Sequence, residues 1–177
     1  MTCIAAVAQD GFVWMGADSC GSNNRLNIVR TDPKVFIKGE FIIGYTSSFR
    51  MGQLLQHCFN PPKQYMDQSD HEFMVTKFID AVRETFKNGG YAKISNGEES
   101  GGTFLVGYKG VLYEIDDDFQ VGIPAAQYAA IGSGDTVALG SLYTSGGIEP
   151  EKRIHKALEA SEFFTPYVRS PFVILKK

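Results

Sequence analysis

The sequence predicts an α+β fold in which two antiparallel sheets face each other under layers of helices. Short apolar segments come in pairs joined by glycine-containing turns, which is the pattern of β-hairpins. Pairs of helical patterns separate the hairpins, and residues 41–43 are apolar at every position, so both faces of that strand should be covered. A doubly wound parallel sheet would need single helices alternating with single strands. The hairpins therefore favour a layered sandwich.

The amino-terminal part of the chain contains two predicted hairpins. Residues 3–8 and 12–17 are apolar strands that flank an Asp-Gly turn, and residues 34–37 and 41–45 flank a Lys-Gly-Glu turn. Residues 18–32 lie between the hairpins and are rich in Ser, Asn and Gly, which is typical of a loop. This loop should carry the chain from the first hairpin to the second.

Two predicted helices follow the second hairpin. The first begins at Ser47 and stops at the two prolines of residues 61–62, because proline cannot continue a helix. The second contains a Phe and Met stripe over residues 73–86 and closes at an Asn-Gly-Gly sequence. We interpret this stripe as core or as a face between subunits. The residues predicted to share the apolar face of the first helix are Phe49, Leu54, Leu55 and Cys58.

The second half of the chain repeats the alternation of strands and helices. We predict a third hairpin at residues 103–108 and 111–115, followed by one strand at residues 128–131. Two helices at residues 136–143 and 150–160 and a last strand at residues 171–175 complete the chain. No internal repeat, low-complexity tract or linker interrupts them. We therefore expect a single domain over residues 1–177.

Composition excludes several classes of function. The formal charge of the 177 residues is −3, so the chain lacks the basic surface that nucleic acids or anionic membranes require. No apolar run reaches the length of a membrane span, and the first residues lack a basic leader, so we expect a cytoplasmic protein with no membrane partner. The cysteines form no CxxC pair and the histidines no HxxxH pair, so we expect no metal and no cofactor.

Three residues carry the most chemical information: Thr2, Asp18 and Lys34. Once Met1 is removed, an amino-terminal threonine offers a hydroxyl nucleophile and a free α-amine that can act as its base. Asp18 lies at the end of the second strand, and the first hairpin returns the chain to the edge where it starts. Lys34 begins the third strand, so all three residues can meet at one end of a sheet. A buried lysine would lower the pKa of the hydroxyl, and a carboxylate would keep the lysine charged and oriented.

Simpler interpretations of these and other residues stay open. Asp18 could be a turn carboxylate and Lys34 a surface lysine at a strand end. Cys3 could serve as a nucleophile, although its position within a strand favours a packed residue. The three consecutive aspartates of residues 116–118 could suggest a metal site, but they cannot all face one ion, so a solvated turn is favoured. Residues 132–134 resemble a phosphate loop without its Gly-Lys-Ser/Thr ending.

The spacing of the three residues is specific. Asp18 lies 16 residues after Thr2, and Lys34 lies 32 residues after it. With this spacing the chain resembles the proteasome β-subunit family and the peptidase subunit of bacterial HslUV. The segments that share the resemblance are residues 2–7, 11–18, 34–36, 42–44 and 130–134, whereas residues 60–70 and 89–101 match nothing in that pattern.

The resemblance implies an N-terminal nucleophile hydrolase fold, a four-layer α-β-β-α sandwich, and a threonine-type peptidase activity. It implies that Thr2 is the nucleophile after removal of Met1, with its α-amine as base. Lys34 would lower the pKa of the hydroxyl, Asp18 would orient Lys34, and Ser133 would hydrogen-bond near the amine. The backbone N–H of Ser47 would stabilise the oxyanion.

The resemblance also implies partners. Subunits would assemble into a self-compartmentalising homo-oligomeric ring that cleaves peptides or unfolded proteins, with an ATPase partner that the sequence does not identify. Gly21, Ser22 and Phe36 would line the substrate pocket, together with residues of a neighbouring subunit.

Three positions depart from the family pattern. Ser47 stands where the family usually has glycine, and Thr165 and Val168 stand where it has an aspartate and a serine. These departures keep two alternatives open. One is a catalytically weak or silent assembly protein of the same fold, and the other is a small-amide hydrolase of that fold.

Overall fold

The computed structural model describes residues 2–23 and 25–177, which form two main antiparallel sheets. Met1, on whose removal the proposed chemistry depends, lies outside the described residues. From edge to edge, the first sheet contains β12 (Tyr128–Gly132), β1 (Cys3–Gln9), β2 (Phe12–Ala17) and β13 (Val173–Lys176). In the same way, the second contains β11 (Val121–Gly122), β10 (Val111–Ile115), β9 (Phe104–Tyr108), β6 (Phe41–Tyr45) and β5 (Val35–Lys38).

Two predicted connections contain short strands. The segment predicted as a loop at residues 18–32 holds a ribbon of β3 (Cys20–Ser22) and β4 (Asn27–Val29). The segment between the second predicted helix and the third predicted hairpin holds a second ribbon, β7 (Lys93–Ser95) and β8 (Glu98–Ser100). In the first ribbon β3 is mostly buried and β4 is exposed, and in the second β7 is exposed and β8 is mostly half-buried. No alternation of buried and exposed residues therefore marks these strands in the sequence.

Within the described residues, four helices cover the sheets. Helix α1 runs from Phe49–Gln53 into a π-helical stretch, Leu54–Cys58, and α2 occupies residues 70–88 with a π-helical stretch at Met74–Phe78. Helices α3 (Asp135–Thr144) and α4 (Pro150–Phe164) form a second pair. None of the described helices is both long and apolar enough to cross a membrane.

Two details of the first helix pair differ from the prediction. Cys58 is exposed, and the next residue, Phe59, is fully buried at the end of α1. The reason is that the π-helical stretch rotates the last turn relative to a regular α-helix. Helix α2 begins at Asp70, before the apolar stripe starts, because the Ser69 side chain accepts a hydrogen bond from the backbone N–H of Glu72 and caps the helix.

The layers follow from the alternation of side chains along each strand. In β1, Cys3, Ala5 and Val7 pack against α3 and α4, whereas Ile4 and Ala6 point into the space between the sheets. In β6 and its neighbours, alternate residues pack either against α1 and α2 or into the same central space. The order of layers is therefore helices, sheet, sheet, helices, which confirms the α-β-β-α sandwich.

This arrangement brings the ends of several strands to one edge of the sandwich. Cys3 of β1 pairs with Gly132 of β12, and Ile4 pairs with Ala17 at the end of β2. In the other sheet Val35 of β5 pairs with Gly44, close to where β6 leads into α1. The residues that follow or precede these positions therefore lie around one edge.

Candidate active site

Asp18 is the centre of the hydrogen-bond network at this edge. Its Oδ1 accepts hydrogen bonds from the Cys3 backbone N–H (2.9 Å) and from Lys34 Nζ (2.8 Å). Its Oδ2 accepts from the backbone N–H groups of Cys20 (2.8 Å) and Arg169 (3.3 Å). Four donors hold a carboxylate whose side chain is 0% exposed, so its position is fixed.

Lys34 is as deeply buried as its partner. Its side chain is 1% exposed, and its Nζ lies 5.8 Å from the centre of the Phe49 ring. Burial lowers the pKa of Lys34 below its ordinary value, while the charge and hydrogen bond of Asp18 oppose that shift. A surface lysine beside a turn carboxylate is therefore the wrong interpretation of this pair.

The buried pair lies beside the amino-terminal strand. Oδ1 of Asp18 binds both Lys34 Nζ and the backbone N–H of Cys3, the residue that follows Thr2. The ammonium group is thus held next to the peptide unit that joins Thr2 to Cys3. Asp18 and Lys34 therefore lie beside the residue that follows Thr2, and the catalytic roles of the three residues stay predictions.

Thr2 itself is held by the loop that follows β12. It is 5% exposed, and its N–H donates a hydrogen bond to Ser133 Oγ (3.2 Å). Its carbonyl oxygen accepts from the Gly134 N–H (3.3 Å) and from the Ser133 hydroxyl (3.3 Å). Ser133 therefore contacts the nitrogen that would become the α-amine after removal of Met1.

The backbone at Gly132 brings this loop close to Thr2. Gly132 has a φ of +99°, and a Cβ placed there would lie 2.3 Å from the Thr2 carbonyl oxygen. A side chain at this position would collide with backbone rather than with a flexible group. Glycine is therefore required for the close approach of the two segments.

We expect Gly132→Ala to reduce the rate of covalent labelling at Thr2 at least about ten-fold, because the added methyl group displaces the Thr2 backbone. The rate of labelling by a threonine-directed inhibitor measures this effect. The matched control is Gly97→Ala, which also places alanine at a positive φ (+87°) but meets no atom within 4 Å. Equal labelling rates in the two variants would contradict the expected role of the close contact.

Ser47, the predicted oxyanion donor, lies between β6 and α1. It is exposed, has a φ of +65°, and its Oγ accepts a hydrogen bond from the Thr103 N–H at 3.1 Å. A positive φ favours glycine, which the family has at this position. Within the described part of the chain, the backbone N–H of Ser47 makes no hydrogen bond, so it is available to an incoming oxygen.

Ser47 and Ser133 both line a cleft of about 510 Å³. Three carboxylates, those of Glu114, Asp116 and Asp135, also line it. Burial raises the pKa of Glu114, and the charges of Asp116 and Asp135 raise it further. The lining of the cleft therefore contains acidic side chains as well as the two serines.

The three predicted pocket residues do not line this cleft. Phe36 is 5% exposed and packs in the core beneath α1 and α2, which leaves little of its side chain for a ligand. Gly21 is buried under the side chain of Arg30, which also stacks on Phe49 at 3.8 Å, and Ser22 is half-buried beside Gly21. Their role in substrate binding stays a prediction.

Other candidate residues have clear structural positions. Cys3 is fully buried, and burial raises the pKa of its thiol to about 12, so it is a packed thiol and not a thiolate nucleophile. Asp117 and Asp118 are exposed. All three histidines are exposed as well.

The positions where the family has an aspartate and a serine contribute in another way. Thr165 donates its hydroxyl hydrogen bond to the Ser161 carbonyl (2.8 Å), and Val168 is fully buried. The backbone N–H of the next residue, Arg169, reaches Asp18. Sequence reasoning missed this contact because a backbone donor leaves no signal in the residue type.

The fold matches solved structures over almost the whole chain. BPH from Thiobacillus denitrificans, in complex with epoxomicin, matches with a TM-score of 0.79 and 16% identity over 99% of this chain and 98% of that one. HslV from Trypanosoma brucei matches with a TM-score of 0.68 and 18% identity over 99% and 98%. Anbu, an ancestral β-subunit from Yersinia bercovieri, matches with a TM-score of 0.68 and 13% identity over 99% and 81%.

At the level of sequence, no protein-family model and no curated protein matches the chain. The similarity is therefore one of fold, and it extends over 99% of this chain in each of these structures. The chain has the N-terminal nucleophile hydrolase fold of HslV and of the ancestral β-subunit, as its resemblance to the proteasome β-subunit family implied.

Proposed function

We propose that this chain is a threonine-type peptidase subunit whose nucleophile is Thr2 after removal of Met1. The observation that carries the proposal is the buried pair of Lys34 and Asp18, whose shared oxygen also binds the N–H next to Thr2. A buried ion pair is costly to maintain for stability alone, because desolvation offsets most of its attraction. Its position beside an amino-terminal threonine supports a catalytic use.

In the proposed reaction the α-amine of Thr2 takes the proton of the Thr2 hydroxyl as Oγ attacks a peptide carbonyl carbon. The ammonium group of Lys34 stabilises the negative charge that develops on Oγ, and Asp18 holds that ammonium group in place. The backbone N–H of Ser47 donates to the oxyanion of the tetrahedral intermediate. The C–N bond then breaks, and the α-ammonium returns its proton to the leaving amine.

An ester of Thr2 remains after the amine leaves. A water molecule gives one proton to the α-amine and attacks the ester carbonyl, and collapse of the second intermediate returns the proton to Oγ. Ser133 lies within hydrogen-bond distance of both the nitrogen and the carbonyl oxygen of Thr2, so it can orient the amine in both steps.

The test begins with the amino-terminal residue of the purified protein, measured by intact mass. Protein that begins at Thr2 should form a covalent adduct with epoxomicin, the compound present in the BPH structure, and should cleave unstructured peptides. Protein that keeps Met1 should do neither, because it lacks the free amine. The absence of an adduct in protein that begins at Thr2 would contradict the proposal.

We also propose that the subunits assemble, as the resemblance implies, into a homo-oligomeric ring that admits peptides or unfolded proteins. The outer face of α3 supports assembly. This face consists of the exposed residues Thr136, Leu139, Gly140, Tyr143 and Thr144, and no charged residue follows Asp135 in the helix. An uncharged helix face with a 77% exposed tyrosine is typical of a surface that another subunit covers.

We expect Tyr143→Arg to shift the protein from its oligomer to smaller species, because a charge in an apolar contact is left without a partner. Light scattering after size-exclusion chromatography measures the mass. Tyr65→Arg is the matched control, since Tyr65 is 63% exposed on the loop between α1 and α2. An unchanged mass for the Tyr143 variant would show that α3 does not form the contact.

A second candidate function is an assembly protein of the same fold without peptidase activity. Val168 favours it, because a fully buried valine occupies the position of the family's serine and offers no polar side chain to Thr2. A ring that begins at Thr2 but forms no epoxomicin adduct would support this candidate. Adduct formation would exclude it.

A further inference from the structure

Ser161 is a fully buried polar residue in the last third of α4. Its hydroxyl lies 2.9 Å from the carbonyl oxygen of Gly134 and 2.9 Å from that of Ala157. It also accepts a hydrogen bond from the thiol of Cys3, at 3.6 Å. One side chain of α4 therefore contacts both β1 and the loop after β12.

The two residues that Ser161 contacts outside its own helix, Cys3 and Gly134, each follow a residue of the candidate site. Cys3 follows Thr2 in the chain, and Gly134 follows Ser133. The N–H of Gly134 itself donates to the Thr2 carbonyl oxygen. The loop that holds Thr2 is thus attached to α4 through the Ser161 hydroxyl.

The contact is also closely packed. A Cβ placed on Gly134 would lie 2.9 Å from Cys3 Cβ and 3.0 Å from Ser161 Cβ. These three residues therefore leave no room for adjustment, and a change at Ser161 is passed to the loop rather than absorbed by a void.

The direction of the hydrogen bonds follows from burial. Because burial raises the pKa of the Cys3 thiol to about 12, the thiol keeps its proton at neutral pH and donates it to Ser161 Oγ. The Ser161 hydroxyl has a single proton, which it can donate to Gly134 or back to Ala157 in its own helix. Only the bond to Gly134 links α4 to the loop.

We propose that Ser161 is a positioning residue for the reaction, which holds residues 132–134 so that Ser133 and the Gly134 N–H stay on Thr2. This inference rests on the proposed function, in which Ser133 orients the α-amine. Nothing in the proposed chemistry requires Ser161 to touch the substrate.

The test compares Ser161→Ala with Ser145→Ala. Ser145 is a buried serine at the end of α3, whose hydroxyl bonds to the Leu142 carbonyl and has no link to Thr2. Ser161→Ala should lower kcat roughly ten-fold and leave KM within about two-fold, because binding survives while the amine is misplaced. Ser145→Ala should leave both parameters unchanged.

Amide hydrogen exchange gives a second measurement that does not depend on activity. Exchange of the Gly134 N–H should be roughly ten-fold faster in Ser161→Ala than in the parent and unchanged in Ser145→Ala. Should Ser161→Ala fail to fold, Ser161→Cys serves instead, since a thiol preserves most of the volume and donates only weakly. It should change kcat and exchange in the same direction.

An equal kcat in the Ser161 and Ser145 variants, or unchanged exchange at Gly134, would overturn the proposal. A parent protein that begins at Thr2 but neither cleaves nor labels would overturn the proposed function and, with it, any catalytic part for Ser161. In that case the exchange measurement still decides whether Ser161 holds the loop. The two failures are therefore distinguishable.

Discussion

Thr2→Ala should lower peptide cleavage on the order of 10,000-fold or more and abolish the epoxomicin adduct, because it removes the attacking oxygen while leaving the α-amine in place. Thr2→Ser, which keeps a hydroxyl on the same carbon, should retain both activities at a reduced rate. Cleavage of a fluorogenic peptide and intact mass after inhibitor treatment measure the two effects. The oligomer should keep its mass in both variants.

The control for this prediction is Thr85→Ala. Thr85 is a half-buried threonine in α2 whose hydroxyl donates a hydrogen bond to the Ala81 carbonyl. Helix α2 covers the second sheet, whereas Thr2 precedes a strand of the first. Loss of its hydroxyl should leave cleavage and labelling unchanged. Labelling of Thr2→Ala at the parent rate would place the nucleophile elsewhere and remove the proposed mechanism.

Asp18→Asn should destabilise the folded protein by about 3–5 kcal/mol, because it leaves the buried ammonium group of Lys34 without its counter-ion. In the variant, the side-chain NH₂ group of asparagine also faces two donors that bind a carboxylate oxygen in the parent protein, so these donors lose their acceptor. Urea unfolding measures the change in the free energy of unfolding, with the dependence of that free energy on urea concentration kept the same for parent and variant. Labelling at Thr2 should be lost in the same variant.

Two comparisons separate the charge from the packing. Asp32→Asn breaks the half-exposed pair of Asp32 with Arg30, and it should cost less than about 1 kcal/mol because solvent screens that pair. The double variant Asp18→Asn/Lys34→Met should recover part of the lost stability, since it removes the stranded charge. A loss below about 1 kcal/mol for Asp18→Asn would contradict the account of the buried pair.

The layers of the fold could be predicted because the strands carry a clear signal. Residues 41–43 are apolar on both faces, and this requires cover from a sheet on one side and helices on the other. The alternation in β6 sends Ile42 inward and Ile43 toward α1 and α2. The β3–β4 ribbon lacked such a signal, because its Ser, Asn and Gly residues are equally typical of a loop.

The parts of the candidate site that depend on side chains could be predicted from the sequence. The parts that depend on backbone groups could not. The spacing of Thr2, Asp18 and Lys34 is readable in the sequence, and in the structure Asp18 and Lys34 lie beside the residue that follows Thr2. The Arg169 N–H on Asp18 is a property of chain geometry, so any residue except proline could provide it. Ser161 sits within a helical pattern, where nothing distinguishes it from a serine that faces solvent.

The role of Phe36 in a substrate pocket stays a prediction, but its position in the sheet limits the surface that it could offer. The resemblance placed it in the pocket, but in β5 it shares the side of the sheet that α1 and α2 cover. Its neighbour Val35 points into the space between the sheets. Strand alternation predicts that Val35 and Phe36 face opposite sides of the sheet, and only the packing of the layers decides which side the helices cover.

The four donors on Asp18 come from segments that are far apart in the chain. They are the start of β1, the start of β3, the residue before β5, and Arg169, which lies 151 residues after Asp18. One buried carboxylate therefore fixes four segments of the chain relative to one another, including the segment that connects α4 to β13. We expect this network to form late in folding, because its longest contact closes a loop of 151 residues and costs more conformational entropy than a local contact does.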